Sequence, residues 1–325
     1  MTIIADFKPA FGQHCETTTT CNLLRHAGLQ ISEPMLFGLG QGIGFGIFAI
    51  KSMPAPFIAG RSKMEEVTKH AAANLGFEVA FRQTRSRKKA WENIAAFIDA
   101  GTPVGAKLDC YYLDYFASDV HFAAHYVAVY GYDAQQVFVV DTAQQGGART
   151  TSRSGFEQGR LWKGPMASNA LTWTVKGPSA KPDWAGAARR AIRANAASYL
   201  APPIRNFGAS GIRKAAGMAA NWGRTIEDAP AQLAQMGMLM ERAGTGGGLF
   251  RRIYGAFLDE AAGYLGAAAL APARALIGKS ADGWTRAAAL LETVQSDPAA
   301  LDAVAPLFLQ IADWEEQAFA LLAEI

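Results

Sequence analysis

The chain has 325 residues, of which half are hydrophobic and 18% are charged, a composition typical of a globular protein and not of a disordered or fibrous one. A chain of this length exceeds one typical compact unit, so we expect two domains. The net charge of +3 is too small to indicate nucleic-acid binding.

Three cysteines are too few for a disulfide framework, and their odd number suits a reducing compartment. We therefore expect a cytoplasmic protein. The first residues show no basic segment leading into an apolar run, so we expect no secretion signal. The most apolar stretch, residues 35–50, is interrupted by glycines and is shorter than the about 20 residues that cross a bilayer, which argues against a membrane span.

Residues 12–28 predict a glycine-led loop followed by a helix. Cys15 stands where this helix begins, and there the free backbone N–H groups and the helix dipole favour a thiolate. Cys21 has the spacing of the residues that pack inward. Most free cysteines are buried and have no chemical role, and we expect this of Cys21 and Cys110. Cys15 is the candidate nucleophile.

Glycines alternate from Gly38 to Gly46. No frame gives the G-x-G-x-x-G pattern of a dinucleotide loop, and a predicted helix rather than a strand precedes the segment. A P-loop at Gly278 is excluded because Ala273 stands where the motif needs glycine. We expect no bound nucleotide. Glycines at this density indicate close approach of neighbouring chain or of a ligand near Cys15.

The pattern after the glycines predicts helices at residues 62–75 and 91–100 and then changes to strands. The predicted strands cover residues 77–82, 103–109, 125–130 and 137–141. The connection between the last two is so short that they form an antiparallel hairpin.

The side chains of this hairpin suggest its register. Folding about Asp133 stacks four valines on one side, in the pairs Val129–Val137 and Val127–Val139. His125 then faces Asp141 on the same side, within reach of a hydrogen bond. A slip of one residue would separate them, so the valine pattern and the His–Asp pair depend on the same register.

An aspartate that fixes the tautomer of an imidazole and stabilises its cation is the third member of a nucleophile–base–acid triad. We therefore predict His125 as the base and Asp141 as its orienting acid. His121, in a loop four residues earlier, is the rival base. A strand-end aspartate is also often a turn residue, and a strand histidine is often a core residue. No Cys/His pairs have the spacing of a metal site, so we expect no metal.

Two clusters of basic residues stand out. The first contains Arg82, Arg85, Arg87, Lys88 and Lys89, and the second contains Arg189, Arg190, Arg193, Arg205, Arg213 and Lys214. Solvated surface is the ordinary explanation, and a dock for an acidic protein or an anionic substrate arm is the alternative.

The composition changes after residue 175. Residues 176–182 predict a linker, and the alanine-rich remainder predicts helices almost to the end. We therefore place one domain at residues 1–178 and a helical domain at residues 179–325. The glycines of residues 244–248 precede a predicted helix, where they form a flexible connection or an anion site served by Arg251 and Arg252.

Several short segments together resemble one family. They are residues 12–15 (GQHC), 32–40 (SEPMLFGLG), 109–113 (DCYYL) and 125–133 (HYVAVYGYD) with Asp141. They look like the butirosin-biosynthesis H-type acyltransferase family, whose N-terminal domain is similar to the bacteriocin-processing C39 branch of papain-like cysteine peptidases. Residues 244–261 resemble the helical domain that accompanies it.

The resemblance implies an α+β fold, with a papain-like, C39-like domain built on an antiparallel sheet and an α-helical domain after it. It implies transfer of an acyl group from an acyl carrier protein to a small-molecule amine or hydroxyl in biosynthesis of a secondary metabolite or lipid-like product. The carrier would present the phosphopantetheine thioester, and no cofactor would be bound. The residues expected at the oxyanion or the substrate are Gln13, His14, Gly40, Asp109, Tyr111, Arg251, Arg252 and Tyr254.

One departure concerns the oxyanion hole. The peptidase branch has a glutamine several residues before its cysteine, whereas Pro9 stands near that position here and Gln13 is the nearby glutamine. Backbone N–H groups at the start of the helix are the physical substitute.

The predicted mechanism has His125, oriented by Asp141, activate Cys15, which attacks the thioester and passes the acyl group to the acceptor. A cysteine peptidase or thioesterase with the same three residues remains open, as does a non-catalytic peptidase-like domain that binds a carrier or a peptide. The sequence does not decide the acyl group, the acceptor or the oligomeric state, with a homodimer among the options.

Overall fold

The computed structural model describes residues 1–50 and 53–325, whose contacts divide into two units. The first unit comprises Met1–Leu36 and Ala71–Pro182, and the second comprises Phe37–His70 and Asp183–Ile325. The first domain predicted from the sequence covers residues 1–178. In the structure, residues 37–70 make their contacts within the second unit instead.

Strands and helices are numbered in chain order. The strands are β1 (Thr2–Ile3), β2 (Ile43–Phe48), β3 (Phe57–Arg61), β4 (Glu78–Arg82), β5 (Val104–Leu108), β6 (His125–Tyr132), β7 (Gln136–Val140), β8 (Ala148–Ser152) and β9 (Thr172–Lys176). The helices are α1 (Cys15–His26), α2 (Glu33–Leu39), α3 (Glu66–Leu75), α4 (Arg87–Asp99), α5 (Arg153–Leu161), α6 (Trp184–Leu200), α7 (Gly208–Ala219), α8 (Trp222–Thr225), α9 (Ala229–Arg242), α10 (Arg251–Leu265), α11 (Ala267–Thr293) and α12 (Val304–Ala323).

The first unit is built on one antiparallel sheet with the strand order β4-β9-β5-β6-β7-β8, and β1 pairs with β6. The four strands predicted from the sequence correspond to β4, β5, β6 and β7, while β8 and β9 were not predicted. Buried valines of β6 and β7 pack with Ile94 and Ile98 of α4 in the core. The fold is α+β, as predicted, with a helical C-terminal region.

The β6–β7 hairpin differs from the predicted register. Next to the turn the opposed pairs are Tyr132–Val137 and Gly131–Phe138, and further along they are Val129–Val139 and Ala128–Val140. Tyr130 is therefore an extra residue on β6, a β-bulge. The four valines share one buried core as expected, but Val129 faces Val139 and not Val137.

The bulge decides which face Asp141 shares. The register next to the turn, if continued, would set Asp141 opposite Ala128, on the face away from His125. The register beyond the bulge sets Asp141 opposite Val127 instead, with His125 two residues along the same face. His125 and Asp141 therefore meet diagonally across the two strands and not directly, a geometry that long side chains can span.

The alternating glycines belong to the second unit, where β2 and β3 form an antiparallel hairpin. A Cβ added at Gly38 would collide with the ring of Phe257, and one at Gly60 would collide with Leu249. Both positions need glycine because neighbouring side chains fill the space. Close packing of the chain therefore accounts for these two glycines.

The rest of the second unit is helical from α6 to α12 and is organised around a buried carboxylate, Glu315 of α12. Arg251 of α10 donates two hydrogen bonds of 2.7 Å to this carboxylate. Tyr199, Ser280 and Trp284 also donate to it, so α6, α10, α11 and α12 meet at one group. Within the described residues, no helix combines the length and the hydropathy needed to cross a membrane.

Candidate active site

Cys15 is the first residue of α1. The preceding residue, His14, has an extended backbone (φ −102°, ψ 127°), and the first helical hydrogen bond runs from the N–H of Thr18 to the carbonyl of His14 at 2.9 Å. The N–H groups of the first turn precede this bond, so the positive end of the helix dipole lies at the thiol. Cys15 is partly exposed, so a substrate can reach it.

The carboxylate of Glu33 holds the loop before Cys15. It accepts hydrogen bonds from the backbone N–H groups of Gln13 (2.7 Å) and His14 (2.9 Å) and from the hydroxyl of Thr17 (2.8 Å). The backbone N–H groups of Gln13 and His14, both expected near an oxyanion, are therefore already used. The sequence did not reveal Glu33, because its partners lie 16 to 20 residues away in the chain.

The same loop is tied to the end of β7. The N–H of Ala143 donates to the carbonyl of Gly12 at 2.8 Å. Ala143 follows Asp141 by two residues and Gly12 precedes Cys15 by three. One backbone hydrogen bond thus joins the segment that carries the thiol to the segment that carries the carboxylate.

His125 and Asp141 form a buried pair. Nε2 of His125 lies 2.7 Å from Oδ2 of Asp141, and only 5% and 1% of the two residues is exposed. The second carboxylate oxygen accepts from the N–H of Thr142 at 2.7 Å. Because Nε2 is engaged by Asp141, Nδ1 is the ring nitrogen left for the thiol, and Cys15 is a hydrogen-bond partner of His125.

The pKa of His125 follows from these neighbours. Burial lowers the pKa of His125, but the charge of Asp141 and the hydrogen bonds to Asp141 and Cys15 outweigh burial and hold it well above its ordinary value. The imidazole is therefore kept cationic beside the thiol. An imidazolium next to a thiol at a helix N-terminus is the environment that activates a cysteine as a nucleophile.

Tyr115 and Phe116 complete the surroundings of the pair. The hydroxyl of Tyr115 donates to Oδ2 of Asp141 at 2.8 Å, and burial followed by the charge of Asp141 raises the pKa of Tyr115 strongly, so it stays a donor. The ring of Phe116 meets the imidazole of His125 edge-on, with centroids 4.9 Å apart. Sequence reasoning missed both residues, because they lie in an irregular loop that has no periodicity.

The rival base, His121, has a carboxylate of its own. Its Nδ1 lies 2.6 Å from Oδ2 of Asp109, and its ring stacks on Trp162 with centroids 4.8 Å apart. The other oxygen of Asp109 accepts from the N–H groups of Tyr111 (3.1 Å) and Phe122 (2.9 Å). Asp109 therefore holds the loop between β5 and β6. Tyr111 is 45% exposed beside His121.

The other two cysteines are buried. Cys21 is 5% exposed, as its helical spacing predicted, and its thiol contacts the carbonyl of Ser32 at 3.7 Å. Cys110 is 2% exposed, and burial raises the pKa of its thiol. Neither is an accessible nucleophile.

The predicted site residues of the C-terminal part need correction. Arg251 is completely buried and paired with Glu315, and Tyr254 is completely buried beside Phe257. Neither residue can bind a phosphopantetheine or carboxylate group in this structure. Arg252 is exposed, but it donates to Asp282 at 3.2 Å and to Thr285 at 3.0 Å.

The glycine loop before α10 is filled by the protein's own anion. The N–H of Gly248 donates to the carboxylate of Glu241 at 2.8 Å, and the hydroxyl of Thr245 donates to the carbonyl of the same residue at 2.9 Å. The anion site considered for residues 244–248 is therefore occupied from within. Gly40, also expected near the substrate, is buried in the second unit.

Comparisons with known proteins agree with this architecture. The N-terminal model of butirosin biosynthesis protein H matches residues 14–142, a range that contains Cys15, His125 and Asp141. A model described as a domain of unknown function (DUF4872) matches residues 155–322, more than half of the chain. No sequence among curated proteins matches the chain.

Among solved structures, a protein from Bacillus anthracis described as a C39-like peptidase is similar to the chain. The two share 18% identity over 55% of this chain and 98% of that one, with a TM-score of 0.40. A likeness at this level says nothing about activity. The two family models together span nearly the whole chain, which therefore belongs to the family that joins a butirosin biosynthesis protein H N-terminal domain to the domain of unknown function.

Proposed function

We propose that this protein is an acyltransferase that carries the acyl group on Cys15 during transfer. The observation that carries the proposal is the chain of contacts from Cys15 through His125 to Asp141. A partly exposed thiol, an imidazole held cationic and a buried carboxylate are the groups that covalent catalysis on a carbonyl requires. All three are side chains, so the chemistry needs no bound cofactor.

In the first step, the thiolate of Cys15 attacks the carbonyl carbon of a thioester. The backbone N–H groups of the first turn of α1 face the developing oxyanion. The imidazolium of His125 gives its proton to the departing thiol as the bond from carbon to the donor sulfur breaks. The products are acyl-Cys15 and a free donor thiol.

In the second step, neutral His125 removes a proton from an amine or hydroxyl acceptor as the acceptor attacks acyl-Cys15. The new amide or ester bond forms, the bond to the sulfur of Cys15 breaks, and the imidazolium–thiolate pair is restored. Asp141 accepts hydrogen bonds from Tyr115 and Thr142 as well as from His125, and these contacts keep the imidazole oriented in both steps.

Thioester exchange between two thiols is nearly balanced in free energy, so the barrier is mainly one of positioning. The donor we propose is the phosphopantetheine thioester of an acyl carrier protein, and the acceptor is a small molecule. The family description refers to the biosynthesis of butirosin, which supports group transfer in a biosynthetic pathway over peptide cleavage.

Intact mass spectrometry with acyl carrier thioesters tests the proposal. Wild-type protein should gain the mass of the acyl group, and Cys15→Ala should not, because no other cysteine is accessible. Cys21→Ala is the matched control and should still be acylated. Addition of amines should release the acyl group as an amide. Release as free acid at the same rate with or without amine would establish a hydrolase instead, and acylation of Cys15→Ala would refute the mechanism.

A further inference from the structure

A depression of about 480 Å³ lies where β4 ends and α4 begins, and Cys15 does not line it. Its walls are formed by Arg82, Gln83, Thr84, Lys89 and Asn93. Each of these side chains carries at least one hydrogen-bond donor, two are cationic and none is a carboxylate. The hydroxyl and the two amides can also accept hydrogen bonds, so the two cations, with no carboxylate beside them in the lining, are what favours an anion as the ligand.

Asn93 gives the most specific indication. It is only 4% exposed and lines the depression, one helical turn after Lys89. Its side-chain amide forms no hydrogen bond with any of the described residues and stays available on the wall of the depression. A ligand that accepts from this amide would gain a hydrogen bond that no protein group supplies at present.

The charges around the depression are unbalanced. Lys88 and Lys89 share Glu92, at 3.8 and 3.4 Å, and Arg87 lies 3.6 Å from Glu157. Arg82 and Arg85 are in no ion pair within residues 1–50 and 53–325. The guanidinium of Arg82 lies over the ring of Phe97, 4.4 Å from its centroid, which restrains its position before any ligand binds.

A buried cation lies under the same part of α4. Arg160 is 1% exposed and donates to the carbonyls of Ala90 and Ala170, both at 2.8 Å. No carboxylate among the described residues forms an ion pair with it. Burial lowers the pKa of Arg160 to about 9, so the group is still protonated at neutral pH and adds positive potential beneath the depression.

The second basic cluster behaves differently. Arg213 lies 2.7 Å from both Asp313 and Glu316, so its charge is compensated by its neighbours. Basic residues on this chain therefore do not all leave positive charge exposed.

We propose that the depression binds a phosphoryl group. A phosphate offers three or more oxygens in different directions and can accept from an arginine fork, an ammonium group and several amides or hydroxyls at once. A carboxylate has two oxygens in one plane and would leave some of the five donor side chains unused.

The position of the depression suggests two sources of the phosphate. Across the sheet, Arg82 faces Thr172, which faces Ala106, which faces Val127 of β6. Three strand spacings of about 4.8 Å place Arg82 roughly 14 Å from the strand of His125. A phosphopantetheine arm is about as long as four or five extended residues, roughly 15 Å, so its phosphate could lie here while its thioester reaches Cys15. This source rests on the proposed function, and a free phosphate ester is the other.

Titration calorimetry with inorganic phosphate at constant ionic strength tests the site itself. Arg82→Gln should weaken binding about tenfold because it removes a charge-assisted fork. Lys88→Gln is the matched control, since it removes the same charge from a side chain that is 88% exposed and lies outside the depression. It should change the affinity less than about twofold. Equal losses in the two variants, or no phosphate binding by wild type, would overturn the proposal.

Two further measurements keep this inference separate from the proposed function. Phosphate should bind Cys15→Ala as tightly as wild type, so failure of the mechanism would leave the site intact. To identify the source, acylation of Cys15 by a carrier thioester is compared with acylation by a short thioester that lacks phosphate. Arg82→Gln should slow only the first reaction if the arm supplies the phosphate. If both rates are unchanged while phosphate binding is lost, the ligand is a free phosphate ester.

Discussion

Two histidine–aspartate pairs lie at the same end of the sheet in the first unit, and only one of them has the environment of a catalytic base. His125–Asp141 and His121–Asp109 have nearly equal distances, 2.7 and 2.6 Å, and in both the aspartate side chain is fully buried. The histidines differ. The side chain of His125 is 6% exposed and bonds to Cys15, whereas that of His121 is 39% exposed and stacks on Trp162.

The comparison shows that a buried carboxylate does not by itself identify a catalytic histidine. Asp109 directs its other oxygen at backbone N–H groups and so fixes a loop. Asp141 is held by Tyr115 and Thr142, which position it against an imidazole that also reaches a thiol. The catalytic base is distinguished by the partner of its second ring nitrogen, which for His125 is the thiol of Cys15.

Replacing each histidine gives the largest expected difference between the pairs. His125→Ala should slow acylation of Cys15 by about 10³-fold or more, because the reaction loses the imidazolium that stabilises the thiolate and protonates the departing thiol. His121→Ala should reduce the rate less than about fivefold, because it removes contacts with Asp109 and Trp162 that lie outside the chain from Cys15 to Asp141. Single-turnover mass spectrometry measures both rates. A larger defect in His121→Ala would exchange the assignments.

Asp141→Asn should have the next largest effect, about 10²-fold on acylation, since an asparagine keeps the shape but does not stabilise the imidazolium. Asp109→Asn is the matched control and should retain most of the rate. Without the charge of Asp141, burial dominates and the pKa of His125 falls. Part of the rate of Cys15 alkylation depends on the imidazolium and is lost above a certain pH. This pH should therefore be lower in Asp141→Asn than in wild type.

The same pKa predicts how stability depends on pH. The pKa of His125 in the folded state lies above the ordinary value of 6.5. Its stabilising contribution is therefore complete below pH 6.5 and is lost as the pH rises through the folded pKa. Urea unfolding of wild type should show this loss on the alkaline side, and Asp141→Asn should lack it. An identical pH dependence in the two proteins would contradict the charged pair.

Tyr115→Phe should have the smallest effect. It removes one hydrogen bond to Asp141, so we expect about a threefold to tenfold slower acylation and a loss of about 1 kcal/mol in the free energy of unfolding. Tyr111→Phe is the matched control beside His121, where the ring is exposed. Wild-type rates in Tyr115→Phe would mean that Thr142 and His125 suffice to hold the carboxylate.

Much of the fold could be read from local patterns. Periodicity predicted β4 to β7, and the glycine-led loop predicted a helix that starts at Cys15. The pairing of His125 with Asp141 was inferred correctly, but from the wrong register, because a bulge leaves no mark in the alternation of valines. Cues that depend on neighbours in sequence were reliable, while details of strand pairing were not.

The remaining features depend on contacts between distant residues. Nothing near Glu33 indicates that it holds the loop before Cys15, and nothing near Tyr115 indicates its bond to Asp141. The sequence places Arg251 in the first turn of a helix, where arginines are commonly exposed. In the structure it is buried and paired with Glu315, 64 residues later. Burial of a charge is decided by such a partner, which local spacing does not show.

Because of the bulge at Tyr130, β6 and β7 pair in one register next to their turn and in another register next to His125. A strand that lost this one residue would be rotated by half a turn about its own axis from that point on. Side chains that now pack on one buried face would move to the other, and the imidazole would lie across the sheet from its carboxylate. Tyr130, which no residue of β7 opposes, thus determines whether His125 and Asp141 lie on the same face of the hairpin.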